Sequence, residues 1–223
     1  MIQVPIHIQL FFFDQDENKI KDAEKQFPKK VFKAKDMIIY VDFIHTKPDP
    51  LKARVNTWIS AANCAGEMSE GIDEWYTTTF PWLAPKVKRD IEKKSGKITS
   101  TGKPNLPVGS ALWVTDGLKN SEESCFVISP IQAPGQADIT ATNNVYHAFY
   151  AAMSLLFSHT LQTGANTLSV GCPLFGVSNG CMTAVESAKQ MNEALRVAFR
   201  YGKQYQLSFD NTSLVKFAVK QDL

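Results

Sequence analysis

The chain is poor in the residues that build metal sites. It has four cysteines, at positions 64, 125, 172 and 181, with no Cys-x-x-Cys pair, and four histidines, at 7, 45, 147 and 159, with no His-x-x-x-His spacing. A structural zinc site needs such clustering, so none is expected, and the thiols are expected to be reduced and mostly buried. Charge of one sign is also lacking: 24 basic against 22 acidic side chains leave a formal charge of +2. That balance does not create the broad positive field of non-specific nucleic-acid binding. Long apolar runs are absent as well, since Ile8–Phe13 and Ala148–Phe157 fall short of the ~18 residues a membrane span needs. The N-terminal stretch shows no basic segment leading into a leucine-rich run and a small-residue cleavage site. The expectation is a soluble, cytoplasmic or nuclear protein that engages neither a metal, a cofactor nor a membrane.

What is present is the composition of a folded domain. Apolar residues make up 44% of the 223-residue chain and charged residues 21%, which allows a packed core. No Pro-, Gly- or Ser-rich linker divides the sequence, so residues 1–223 are expected to form a single domain.

The apolar run Ile6–Phe13 predicts a strand. In Asp14–Phe27, Ile20, Ala23 and Phe27 recur at helical spacing among charged residues. Met37–Ile44 and Arg54–Ile59 predict two further strands, separated by the breaker-rich segment His45–Lys52. Helical spacing from Gly71 to Lys94, interrupted at Pro81 and Pro85, predicts two short helices. Ser95–Pro107 predicts a surface loop, Ala111–Thr115 and Cys125–Ser129 neighbouring strands, and Lys119–Ser124 a polar turn between them.

Asn143–Leu161 and Thr183–Tyr201 carry broad apolar stripes, the mark of long amphipathic helices, and Thr167–Cys172 between them predicts a strand. Tyr205–Phe209 and Leu214–Val219 have the pattern of a terminal strand pair. Strands alternating with helices imply an α/β fold, a mixed sheet covered by helices on both faces. Ligands of such sheets bind on loops beyond the strand C-termini, which selects Ser60–Asp73 and Gly171–Gly180.

The second loop reads Gly171-Cys-Pro-Leu-Phe-Gly-Val-Ser-Asn-Gly180 and ends just before a helix. Gly176 and Gly180, with Ser178 and Asn179 between them, would let backbone N–H groups face an anion at the helix N-terminus. An ordinary strand-to-helix turn has the same composition. The first loop puts tiny residues at a strand end, then Asn63, then Asp73 ten positions on. Asn supplies a donor and an acceptor, and Asp can orient water. A turn-forming Asn and a helix-N-terminal carboxylate would look identical.

Ser60-Ala-Ala-Asn63, followed by a short loop and Gly71-Ile-Asp73, resembles the macro-domain signature of Asn-Ala-Ala-Asn, a Gly-rich stretch and Val-Asp. The likeness extends to Leu106-Pro-Val-Gly-x-Ala111, Ile128-Ser-Pro130, Asn143–Tyr150 and Cys172–Met182, in the same order across roughly residues 37 to 200. The resemblance implies a three-layer α/β/α fold with a cleft for ADP-ribose, free or attached to a protein. It places Asn63 at the distal ribose, Asp73 beside the anomeric centre, and the turn from Gly176 to Gly180 around the diphosphate. Asp42 and Phe43 resemble the pair that holds the adenine, with a surface Asp at a strand end as the alternative. Ala62, Gly71, Ile72, Pro173 and Val177 complete the implied ligand-binding set.

The activity implied is hydrolysis of mono-ADP-ribose linkages on proteins, of ADP-ribose 1″-phosphate or of O-acetyl-ADP-ribose, with Asn63 and Asp73 catalytic. The alternative is a non-catalytic reader or scaffold that binds ADP-ribose or another nucleotide.

Two departures from the family pattern carry expectations. The Gly-rich stretch is replaced by Glu67-Met-Ser-Glu-Gly71, whose side chains at Met68, Ser69 and Glu70 should crowd the cleft. Ser178 stands where the family has glycine, at a cost of about 1–2 kcal/mol if its backbone is left-handed. The aromatic residues Trp58, Trp75, Tyr76, Phe80, Trp82 and Trp113 fit core packing better than base stacking. Lys86–Lys94 fits a solvated helix face.

Overall fold

A computed structural model describes residues 5–94, 104–115, 124–132, 136–201 and 214–216. The order of elements is β1 (Ile6–Asp14), α1 (Glu17–Lys25), β2 (Val31–Lys33), β3 (Met37–His45), β4 (Thr57–Ser60), α2 (Gly71–Thr79), α3 (Leu83–Lys94), β5 (Ser110–Val114), β6 (Cys125–Ile128), α4 (Asn144–Thr163), β7 (Thr167–Pro173), α5 (Ala184–Tyr201) and β8 (Leu214–Lys216). The strands form one sheet in the order β2-β3-β1-β7-β4-β6-β5-β8. From β3 to β6 every neighbouring pair is parallel, while β2 at one edge and β5 and β8 at the other run antiparallel to their neighbours. The α/β class expected from the sequence is the one observed.

β1 lies between β3 and β7, and its apolar run follows from that position, because a parallel strand with helices on both faces has no side turned to water. Ile6, Ile8, Leu10 and Phe12 point into a core formed with α1, α4 and α5. Phe11 and Phe13 point the other way, into a core formed with α2 and α3. β5 and β6 repeat the alternation, with Trp113 and Val127 on the first side and Leu112 and Phe126 on the second. Three layers result.

Trp58 is fully buried and packs against β7 at its register partner, Gly171. A Cβ at Gly171 would lie 2.7 Å from the indole ring. The glycine is therefore there for close approach.

The differences from expectation have local causes. α1 begins at Glu17 and not at Asp14, because the Asp16 side chain caps it by accepting from Asn18 N at 2.9 Å and Lys19 N at 3.4 Å. The strand expected from Arg54 begins at Thr57, since the amides of Arg54 and Val55 both donate to Leu51 O in a local turn. β2 has three residues, too few for alternation to announce it. Pro85 falls in the first turn of α3, where its missing N–H removes no helical bond. Leu214–Lys216 is a strand beside β5; its expected partner, Tyr205–Phe209, lies outside the described residues, as do most of the Ser95–Pro107 loop and the Lys119–Ser124 turn. Among the described residues, no helix is long and apolar enough to cross a membrane.

Candidate functional site

β7, β4 and β6 are adjacent and parallel, so their C-terminal ends point the same way. The chain leaving each end contributes to a cavity of about 680 Å³, within the range of small-molecule and cofactor sites. β4 supplies residues between Ala61 and Asp73, β7 supplies residues between Pro173 and Gly180, and β6 supplies Ile131, Gln132, Gln136 and Ala137. Pro104 and Asn105 close one side.

Asp73 sits in the first turn of α2, 7% exposed. The Ser60 hydroxyl at the end of β4 donates to its Oδ1 at 2.6 Å. Burial pushes the carboxyl up from 3.8 to about 6, and the Ser60 hydrogen bond opposes that rise. An acid of this kind exchanges protons near neutrality, as a general base or acid must. Nearby, the Tyr76 hydroxyl donates to Ile59 O at 3.1 Å, and burial, reinforced by Asp73, holds that phenol well above its ordinary range.

Asn63 is engaged with its own loop. Its Oδ1 accepts from Ala65 N and Glu67 N, each at 3.0 Å, and its Nδ2 donates to Glu67 O at 3.3 Å. It still lines the cavity, so one residue both shapes the loop and borders the cleft.

The expected crowding of the cleft is relieved at Met68 alone, because Ser69 and Glu70 both line the cavity. Met68 turns inward, 5% exposed, and joins the core beneath α2 and α3. Glu70 reaches across the cleft, where its Oε2 accepts from Asn179 Nδ2 at 2.9 Å. Gln132 Nε2 donates to Asn179 O at 3.3 Å and to Ala137 O at 3.1 Å. The three loops thus meet at Asn179. Ser69 does line the cavity.

The β7–α5 turn is closed by Cys181 N donating to Ser178 O and Met182 N donating to Gly176 O. Neither bond uses the amides of residues 177–180. Gly176 adopts φ +71°, and a Cβ at Gly180 would lie 2.7 Å from Gly176 O, so each glycine is required by the fold of the turn itself. The strain expected at Ser178 falls instead on Cys181, the only described non-glycine residue with positive φ, at 60°. α5 begins after Thr183, whose hydroxyl accepts from Glu186 N.

Two solved structures are similar to the chain as a whole. The structure is similar to the macrodomain of Mycobacterium tuberculosis DarG, with a TM-score of 0.49 and 16% identity, over 68% of this chain and 88% of that one. It is similar to the macrodomain of Thermus aquaticus DarG, with a TM-score of 0.48 and 16% identity, over 66% of this chain and 85% of that one. No protein-family model and no curated protein matches the chain.

The cavity brings together Asn63, Gly71, Ile72, Asp73, Pro173, Gly176, Ser178, Asn179 and Gly180 of the residues singled out from the sequence. Four others lie outside its lining. Asp42 is three residues short of the end of β3 and accepts from Gln9 Nε2 at 3.2 Å. Phe43 packs against Phe12 and Phe27, with Lys30 Nζ 4.1 Å from its ring centre. Ala62 is buried in the α2 and α3 core, and Val177 packs on the opposite one.

Sequence reasoning missed Ser60 as a partner of Asp73, and it missed the whole β6 loop. The rule that selected the other two loops selects this one too, because residues 129–143 leave a strand and enter a helix. The loop is tied to the site by Cys64 Sγ donating to Gln132 O at 2.6 Å and by Ile131 N donating to Ala62 O at 3.0 Å.

Proposed function

We propose that the cleft binds ADP-ribose and hydrolyses a mono-ADP-ribosyl linkage, either on a protein or in a derivative such as ADP-ribose 1″-phosphate or O-acetyl-ADP-ribose. The observation that carries this reading is the buried Asp73 carboxyl, held by Ser60 where three parallel strand ends converge, with a pKa of about 6. In this reading the diphosphate lies on the amides of residues 177–180, favoured by the positive end of α5. The distal ribose lies beside Asn63. Asp73 takes a proton from water as the water oxygen bonds to the anomeric carbon. The bond from that carbon to the leaving atom breaks, and its electron pair goes to the leaving atom.

A second reading, a reader that binds without turnover, is favoured by Asn63, whose amide already serves its own loop through three hydrogen bonds. The two readings separate on one pair of measurements. Calorimetry should record ADP-ribose binding to the native protein, and release of ADP-ribose from a modified protein should disappear in Asp73→Asn. Binding without any turnover in the native protein selects the reader. No binding removes both.

A further inference from the structure

Glu70 is the N-cap of α2, yet its side chain makes no capping hydrogen bond. Its Oε2 instead accepts from Asn179 Nδ2 at 2.9 Å, across 109 positions of sequence. Asn179 is held from the other side as well, where Gln132 Nε2 donates to its backbone O at 3.3 Å. Gln132 is fixed in turn, since its O accepts from Cys64 Sγ and its Nε2 donates to Ala137 O. A chain of contacts therefore runs from the β4–α2 loop through the β7–α5 turn to the loop after β6. Glu70, Asn179 and Gln132 all line the cavity.

The link at Glu70 is the one that can open. Met68, two positions earlier, is buried in the core, and its O accepts from Thr77 Oγ1 at 3.2 Å, which holds the loop up to that point. Beyond it Ser69, Glu70 and Gly71 are exposed. Gly71 has φ +59°, and no atom lies within 4 Å of where a Cβ would stand. Glu70 can thus withdraw from Asn179 without disturbing packed atoms.

The carboxylate and a diphosphate are alternative partners for one donor. In the ADP-ribose reading the diphosphate lies along residues 177–180, and Asn179 is among them. Among the described residues Glu70 forms no ion pair and no Lys, Arg or His lines the cavity, so no basic side chain there neutralises the carboxylate. A diphosphate reaching the turn meets a like charge already bonded to it. It gains the Asn179 N–H only as Glu70 gives it up. One charge-assisted hydrogen bond then replaces another, so the ligand can displace the carboxylate.

We infer that the Glu70–Asn179 contact is an autoinhibitory latch: in the ligand-free protein the Glu70 carboxylate holds the turn in place of the diphosphate, and ADP-ribose binds by displacing it. This inference rests on the ADP-ribose reading and adds the regulation of that same site. The latch lowers the affinity of the cleft for its ligand, and its release raises that affinity.

The test is calorimetry with ADP-ribose on the native protein, Glu70→Gln, Glu70→Ala and Glu67→Gln, with thermal melts to check that all four fold alike. Glu67 is also exposed and lines the same cavity, but among the described residues its carboxylate has no hydrogen-bond partner. Its variant therefore measures what removing any negative charge from the cleft does. Both Glu70 variants should bind ADP-ribose at least about fivefold more tightly than the native protein, and Glu67→Gln should change the affinity by less than about twofold. Glu70 variants that bind no more tightly than the native protein, or a gain in Glu67→Gln as large as that in Glu70→Gln, overturn the inference while ADP-ribose binding keeps the broader reading intact. Failure of ADP-ribose to bind any of the four proteins overturns the broader reading, and the inference with it.

Discussion

The two loops that face each other across the cleft are built on opposite plans. In the β4–α2 loop the functional groups are side chains, and they also hold the loop together: Asn63 folds it, Ser60 fixes Asp73, and Met68 anchors it in the core. In the β7–α5 turn one side chain, that of Asn179, reaches across to Glu70, while two glycines packed on one another set the course of the backbone. A loop of the first kind can lose its chemistry while keeping its shape. A turn of the second kind cannot change without moving the whole surface that it presents to the cleft.

The sharpest break in this comparison is Asp73→Asn. Turnover should fall at least about a hundredfold, the scale of losing a positioned base, while the fold should gain stability at alkaline pH. The carboxyl's pKa is raised in the folded protein, from 3.8 to about 6. The folded state therefore holds the proton more tightly, and the stability this contributes is full below about pH 4 and lost as pH rises through about 6. Urea denaturation should show Asp73→Asn more stable than the native protein by up to about 3 kcal/mol at pH 8, with the gap closing by pH 4. A constant gap across that range would contradict the assignment.

Gly180→Ala tests the opposite plan. Its Cβ would meet Gly176 O at 2.7 Å and Gly176 Cα at 2.9 Å, both backbone atoms. The turn must move, at a cost of about 1–3 kcal/mol by analogy with overpacked cores, and calorimetry should find ADP-ribose binding lost even though no ligand-facing side chain has changed. Ser60→Ala is milder. It removes the hydrogen bond that holds the Asp73 pKa down, so the acidic limb of the pH–rate profile should move to higher pH, with a stability loss of about 1 kcal/mol. Asn63→Ala should cost the fold about as much, about 1 kcal/mol from the lost turn bonds in a melt, under either reading. A large loss of ADP-ribose affinity in the same variant would show that the amide also meets the ligand.

Much of this fold was legible because its signals are local. The largely apolar run of β1 and the wide stripes of α4 and α5 follow from burial on known faces, and Pro81 falls between the end of α2 and the start of α3. The misreadings arose where a pair of local hydrogen bonds outweighed a pattern, at Asp16 before α1 and at Leu51 before β4. The cleft was less legible, because its decisive facts are directions. Met68 and Glu70 stand two apart in sequence, yet one turns into the core and the other spans to Asn179. The pairing of Ser60 with Asp73 joins residues thirteen apart and depends on how α2 is laid over the end of β4.

The thiols give the cleft a handle for spectroscopy. Cys64 and Cys172 are buried, and burial pushes the Cys64 thiol to about 11 and Cys172 well above its ordinary range, so neither offers a thiolate near neutral pH. Cys181 is exposed and directly follows Gly180 in the β7–α5 turn. A fluorophore attached there, with Cys125 replaced by serine to keep labelling to one position, would sit at the mouth of the cavity and register a ligand's arrival without touching Asp73 or Glu70.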